Sequence, residues 1–319
     1  MYYNVAIIGA GQLGSRHLQA MKTASSSLNI WVMDNHEESL KVAKQRYEEI
    51  PMIGEKSIEY VGSIDLLPQQ LDLVIIATGS KPRASIVKKL LECSKVKYLV
   101  LEKVLFPQIS DYEEIENLLK KNQVLTWVNC PRRMFGMYQE IKKHIDHTVP
   151  IEISYEGENW GLCCNAIHMI DLFMYFTGET QYTLDLSSLT DSIEESKREG
   201  YVEMTGTINI KTPHGNTLRL TSMNGFKGAP GLVIKNKDNK IFVDEAKGEW
   251  NINEEQHLYC LPYQSQLTGI VTDEILKTGG CMLTPFELSS LYHQPIIRSL
   301  LEKYNKLIND YNNKILPIT

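Results

Sequence analysis

The apolar positions of the first half fall into short runs separated by stretches of helical spacing. Val5, Ala6, Ile7 and Ile8 form an unbroken run of the kind a strand buried on both faces needs, and helical spacing resumes after Gly9, Gly11 and Gly14. A second run at 29–33 reads as a strand, and 37–50 carries the charge and apolar spacing of a helix. The series continues with a buried strand at 71–78, a helix at 82–94, a strand at 98–101, an amphipathic helix at 111–122 and a strand at 124–128. Strands alternating with helices imply right-handed parallel crossovers, and so a doubly wound parallel sheet. Residues 130–135 read as the crossing into a second domain.

The texture changes near residue 150. A strand at 151–155 and a helix at 166–176 closed by Gly178 precede extended segments at 201–210, 217–223, 232–236 and 241–243, with turn residues at 213–216 and 237–239. This half reads as α+β with a mostly antiparallel open sheet. The chain ends in a long helical pattern at 287–312 that can pack back on the first domain. The expected division is 1–128 and 129–319, which suits a chain of 319 residues, too long for one usual core.

Composition narrows the class. A formal charge of −6 with no long basic block argues against nucleic acid as a partner. No stretch approaches the ~18–20 apolar residues a membrane span needs, and the early apolar run lacks a basic leader and a cleavage site, so a cytoplasmic protein with no membrane partner is expected. Cys93, Cys130, Cys163, Cys164, Cys260 and Cys281 show neither a C-x-x-C pair nor zinc spacing, which predicts free thiols and no metal.

The first glycines carry chemistry. Gly9 allows a tight turn, Gly11 lets backbone approach a pyrophosphate, and Gly14 lets the new helix pack on the strand. Gln12 and Leu13 lie where that helix turns its free N–H groups toward phosphate. Asp34 closes the second strand twenty residues after Gly14, placed to accept from ribose hydroxyls. It is followed by Asn35 rather than an arginine, and a carboxylate repels a 2′-phosphate, so NAD is expected over NADP. This order of strand, glycines, helix, strand and acid is the Rossmann dinucleotide fingerprint.

The chain resembles the Gfo/Idh/MocA family of NAD(P)-dependent oxidoreductases over its whole length. The resemblance rests on AIIGAGQLGSRHL at 6–18, DLVIIATGSKPR at 72–83, LEKVLFP at 101–107, NCPRRM at 129–134 and GLCCNAIHMIDLF at 161–173. It implies action on sugars, sugar nucleotides or cyclitols by a homodimer or homotetramer. It also implies that Lys103 touches nicotinamide ribose and substrate, with Glu102 as its orienting neighbour and Val104 in the place of a proline. A lysine at a strand's C-terminal edge can stabilise negative charge on a carbinol oxygen during hydride transfer.

On the second-domain helix the family's histidine position is His168, suited to passing a proton near neutral pH. Four residues earlier, where the family has an aspartate, stands Cys164, with Asn165 beside it, while Asp171 reads as a structural contact. The loop after the fourth strand keeps Thr78 near the nicotinamide ribose but has Arg83 where the family has histidine. Lys81 and Arg83 read as a solvated pair or as contacts to an anionic substrate. Arg132 and Arg133 have the planar fork that suits a carboxylate or phosphate, and Trp160 can stack on a sugar ring or fill a core.

The expected activity is hydride transfer between NAD and a secondary carbinol of a sugar, an acidic sugar or a sugar nucleotide, with Lys103 and His168 handling charge and proton, in surface-polysaccharide sugar metabolism by family analogy. Two alternatives stay open. One is an enzyme that returns the hydride of bound NAD to the same substrate, and the other is a catalytically silent dinucleotide-binding sensor or scaffold.

Overall fold

The computed structural model describes residues 2–228 and 231–319. Two compact units divide the chain: the first takes in the chain up to Phe106, Ser110–Asn129 and Pro262–Phe286, and the second Pro107–Ile109, Cys130–Leu261 and Glu287–Thr319.

In the first unit β1 (Tyr3–Ile8), α1 (Gln12–Met21), β2 (Leu28–Met33), α2 (Glu37–Glu48), β3 (Lys56–Val61), β4 (Gln70–Ile76), α3 (Ser80–Cys93), β5 (Lys95–Leu101), α4 (Ser110–Asn122) and β6 (Leu125–Val128) alternate as the apolar runs predict. The strands lie in the order β3-β2-β1-β4-β5-β6, all parallel. Val5 to Ile8 and Leu73 to Ile76 are buried because β1 and β4 are central and covered on both faces. β3, which the sequence reading missed, is the edge strand KSIEYV. Its alternating polar residues give no buried run.

Two more elements complete this unit from far along the chain, α7 (Gln264–Thr278) and β17 (Thr284–Pro285), the latter antiparallel to β6. α7 packs against α1 so closely that a Cβ on Gly269 would lie 2.3 Å from Thr23 Oγ1 and 2.6 Å from the Ala20 carbonyl oxygen. Its contact face is Thr268, Gly269 and Thr272 as much as Leu267, Val271 and Ile275, so apolar periodicity does not flag it. The Asp273 carboxylate pins it by accepting the amides and hydroxyls of Ser25 and Ser26 at 2.6–3.0 Å.

The second unit is built on an eight-stranded sheet. A one-turn helix at Pro131–Met134 leads to α5 (Gly136–Lys143), β7 (Glu152–Gly157) and α6 (Leu162–Thr177). Then come β8 (Thr183–Asp185), β9 (Glu194–Glu195), β10 (Val202–Glu203), β11 (Gly206–Lys211), β12 (Thr217–Ser222), β13 (Gly231–Asn236), β14 (Asn239–Asp244), β15 (Glu249–Ile252) and β16 (Glu255–Leu258). The strand order is β16-β15-β14-β13-β7-β12-β11-β8, with only β7 and β12 parallel, and β9 and β10 form a separate ribbon. The terminal helix α8 (Phe286–Ile308) belongs to this unit from Glu287 onward. Among the described residues no helix is long and apolar enough to cross a membrane.

α6 is apolar nearly all round, with Cys163, Cys164, Ala166, Ile167, Met169 and Ile170 buried. It starts after Gly161 (φ 75°) and stops at Gly178 (φ 72°), both in the left-handed region where a side chain is strained. A Cβ on Gly161 would also sit 2.9 Å from Asn165 Nδ2 and 3.2 Å from Glu203 Oε1.

Candidate active site

The dinucleotide end of the first unit forms where β1 and β4 part company, the switch point at which such sheets bind ligands. Gly9 has φ +93°, and a Cβ there would touch Thr78 Cγ2 at 2.8 Å. One on Gly14 would lie 1.7 Å from the Gly9 carbonyl oxygen. At Gly11 a Cβ would meet nothing within 4 Å, so this backbone stands open. Gly11 caps α1 without a side chain, and the first turn, which includes Gln12 and Leu13, carries no acid. The helix terminus therefore presents N–H groups with no local carboxylate to compete for them. Asp34, at the end of β2, accepts from Ala10 N at 2.7 Å through one oxygen and from His36 N at 2.9 Å through the other. This arrangement fits a dinucleotide: an open amide cradle for pyrophosphate, an acid at the ribose end, and the Thr78 hydroxyl, which has no hydrogen-bond partner among the described residues.

At the C-terminal end of β5, Glu102 is buried and its neighbour Lys103 is half-buried, with a cis peptide between Lys103 and Val104. Glu102 Oε1 meets His17 Nε2 at 2.9 Å and accepts from Asn129 Nδ2 at 2.5 Å. His17 Nδ1 in turn contacts Thr268 Oγ1 at 2.8 Å, and Asn129 donates to Gln264 Oε1 at 3.0 Å. Burial pushes the Glu102 carboxyl up, but His17, Asn129 and the Arg83 guanidinium outweigh it and hold the group below its usual range. The strand end carrying Lys103 is thus fixed by a closed polar ring in which α7 supplies two members. Sequence reasoning missed His17, Asn129, Gln264 and Thr268, whose only local signal is a histidine three residues after Gly14.

Arg83 is neither a solvated charge nor open to an anion. It is 1% exposed, and its guanidinium donates to the carbonyls of Val104, Leu105 (2.9 Å) and Thr78. It ties the loop after β4 to the loop after β5, because a buried guanidinium needs acceptors on several sides.

In the second unit a cavity of about 260 Å³ is lined by Arg132, Tyr155, Trp160, Asn165, His168 and Met169. α6 places Asn165 and His168 on this wall, one turn apart. Trp160 donates through Nε1 to the Thr221 carbonyl at 2.8 Å and meets Tyr155 edge-on, with centroids 5.0 Å apart. Asn165 Nδ2 donates to the Trp160 carbonyl at 2.8 Å, which sets its side chain beside the ring.

Arg132 gives Nε and Nη2 to the two oxygens of Glu245, both at 2.8 Å, and Tyr138 donates to Glu245 Oε1 at 2.6 Å. Burial pushes the Glu245 carboxyl up, but Arg132 and Tyr138 hold it below its ordinary value. Arg133 is committed elsewhere: its Nε donates to the buried Asp171 at 2.9 Å, and its guanidinium lies 5.4 Å from the Tyr175 ring centre. Arg133 and Asp171 brace the turn after β6 against α6, as expected of Asp171 and not of Arg133.

Cys164 is buried and does not line the cavity. Its amide and that of Cys163 donate to the Glu203 carboxylate at 3.1 and 2.8 Å, so an acid from β10 caps the positive end of α6. Burial pushes the Cys163 thiol well above its usual range, with Glu203 adding to the effect. All six cysteines are thiols rather than disulfide halves. Tyr155, Glu203 and Glu245 were missed because nothing in their local sequence marks them.

Residues 3–130 match the Gfo/Idh/MocA profile, described as an oxidoreductase family with an NAD-binding Rossmann fold. Over these residues the chain is similar to the Gfo/Idh/MocA family. Solved structures share the fold over nearly the whole length. UDP-N-acetylglucosamine 3-dehydrogenase GnnA from Acidithiobacillus ferrooxidans superposes with a TM-score of 0.72 at 14% identity, covering 95% of this chain and 97% of its own. An Agrobacterium radiobacter oxidoreductase in complex with NAD+, L-tartaric acid and magnesium gives 0.69 at 15%, covering 95% and 97%. A Synechocystis biliverdin reductase in complex with biliverdin and NADP+ gives 0.70 at 14%, covering 94% and 98%. No curated protein sequence matches. The glycine cradle and the Glu102-Lys103 pair lie within the matched residues, while the cavity wall from Arg132 onward lies beyond them.

Proposed function

We propose that this chain is an NAD-dependent oxidoreductase acting on a secondary carbinol or ketone of a sugar-like substrate. The observation that carries the reading is convergence: Arg132 from one stretch of sequence and Trp160, Asn165 and His168 from another line one cavity of the second unit. Below the ~300–1,000 Å³ of pockets for drug-sized ligands, its volume suits one ring. Trp160 and Tyr155 offer aromatic surface to such a ring, and Asn165 and Arg132 offer hydrogen bonds to its hydroxyls.

A bound nicotinamide dinucleotide supplies or accepts the hydride. Gly9, Gly11, Gly14 and the start of α1 hold its pyrophosphate, and Asp34 holds the ribose, its charge favouring NAD over NADP. Lys103 carries a cation at the strand end, where it stabilises negative charge on the substrate oxygen. His168 takes or returns the proton. The ring around Glu102 keeps Lys103 oriented.

The test is NADH formation by the purified protein from NAD+ with a panel of sugars and sugar nucleotides, alongside calorimetry with NAD(H) and NADP(H). Turnover on at least one sugar, abolished by His168→Ala with dinucleotide binding intact, is the expected result. Turnover that survives His168→Ala, or tighter binding of NADP(H), would overturn these assignments. Tight dinucleotide binding with no turnover on any sugar would favour the sensor reading instead.

A further inference from the structure

The cavity of the second unit holds a cation that its own protein has already answered. Among the described residues lining it, Arg132 alone carries a permanent charge. Glu245 meets that charge side-on, with two parallel bonds of 2.8 Å, and is locked there by the Tyr138 hydroxyl, whose residue is fully buried. Each partner is about one-fifth exposed, so the pair is poorly screened by water. An arginine that serves as an anion clamp keeps its bidentate edge for the ligand. Here that edge is filled.

We infer that Glu245 is a specificity-determining residue: by neutralising Arg132 it makes the cavity a receptor for an uncharged, hydroxyl-bearing ring and turns away a carboxylate-bearing one. The inference rests on the reading that this cavity receives the substrate. A guanidinium has five N–H donors, and Glu245 takes two of them, so Arg132 can still donate to neutral hydroxyls. A substrate carboxylate entering the same space would share one guanidinium with Glu245, and two carboxylates on one cation leave a net negative charge in a desolvated wall. The acidic sugar expected from the paired arginines is therefore disfavoured, since the second arginine is held by Asp171.

The test uses matched probes that differ in charge and hardly in shape, glucuronate against glucuronamide and acetate against acetamide, at constant ionic strength. Affinities are read by NMR titration of the His168 ring in wild type, in Glu245→Gln and in the double variant Arg132→Gln/Glu245→Gln. Wild type is expected to favour glucuronamide. Glu245→Gln, which leaves the Arg132 charge unanswered, should shift the glucuronate-to-glucuronamide ratio toward the acid by about tenfold or more. It should also gain acetate binding that the double variant lacks. Wild-type preference for glucuronate, or an unchanged ratio in Glu245→Gln, would overturn the inference. If neither sugar probe binds any form, the sugar reading fails, and acetate still decides the charge argument: a gain confined to Glu245→Gln upholds it, and equal binding by wild type defeats it. If Glu245→Gln does not fold, the double variant decides, because a pair that is already neutral can be removed without changing the wild-type preference, whereas a working anion clamp cannot.

Discussion

Adding one methyl group at Gly11 or at Gly14 should have opposite consequences, although the two glycines lie in the same turn. At Gly14 the new Cβ would sit 1.7 Å from the Gly9 carbonyl oxygen, backbone against backbone, so no side chain can swing aside to make room. Overpacking of this kind costs ~1–3 kcal/mol or more, while the helix gains only ~1 kcal/mol from replacing glycine by alanine. A 1.7 Å approach lies at the upper end of that cost and leaves ~2 kcal/mol net, so at ~2–4 °C per kcal/mol for a domain of this size Gly14→Ala should lower the melting temperature by roughly 4–8 °C or prevent the unit from folding. At Gly11 the Cβ meets nothing within 4 Å and the backbone is in an ordinary region (φ −63°, ψ −162°). The weaker helix cap and the stiffer unfolded chain roughly cancel, each being below ~1 kcal/mol. Gly11→Ala should therefore melt within ~2 °C of wild type. The methyl instead occupies the approach to the amides, and losing one charge-assisted hydrogen bond of ~1.5–3 kcal/mol weakens NAD binding by ~10–100-fold. Thermal unfolding without ligand and calorimetry with NAD+ separate the two effects. The cradle argument fails if Gly11→Ala binds NAD+ as wild type does, or if Gly14→Ala melts unchanged.

Further outcomes can be checked in parallel. Lys103→Ala should keep the fold and dinucleotide binding while kcat falls by ~100–1,000-fold, the scale of one lost charge-stabilising group, and unchanged kcat on a turned-over substrate would exclude the role. Asp34→Ala should narrow the gap between NAD(H) and NADP(H) affinities, because the repulsion of a 2′-phosphate goes with the carboxylate; an unchanged ratio in calorimetry rules this out. Glu203→Ala removes the acceptor of the Cys163 and Cys164 amides and should cost ~1–2 kcal/mol in denaturant unfolding, with Glu203→Gln recovering part of it. Asp273 gives a pH signature. Burial pushes its carboxyl up, but the hydroxyls and amides of Ser25 and Ser26 hold it at about 2, below 3.8, so its contribution is complete above the unfolded value and is lost as pH falls toward about 2. Asp273→Asn should flatten the fall in melting temperature over that acid window, and an unaltered slope would count against the pairing.

Legibility followed burial. The central strands could be read because both faces of β1 and β4 are covered and the chain must be apolar without interruption there. Asp34 and the glycines could be read because their geometry is set within one strand-helix-strand unit, β1-α1-β2. β3 and α7 could not, the first because an edge strand alternates and the second because a helix that touches its neighbour through glycine and threonine has no large apolar stripe. The same contrast holds at the site. His168 and Asn165 share one helix and could be read together, whereas Tyr155 on β7, Glu203 on β10 and Glu245 after β14 reach their partners only through the tertiary fold. Arginines 132 and 133 read as ligand contacts, yet sequence could not show their occupied forks, since Glu245 lies 113 residues away and Asp171 is 38 away.

The dinucleotide unit is not finished when its sixth strand is made. His17 and Asn129 wait for Thr268 and Gln264, which are synthesised only after the whole of Cys130–Leu261. At ribosomal speeds of ~5–20 residues per second, that delay is on the order of ten seconds, during which the nascent chain exposes the α1 surface that α7 will cover. A strictly vectorial order, first unit then second, is therefore closed to this polypeptide. Translation must carry an incomplete nucleotide fold until the returning segment emerges.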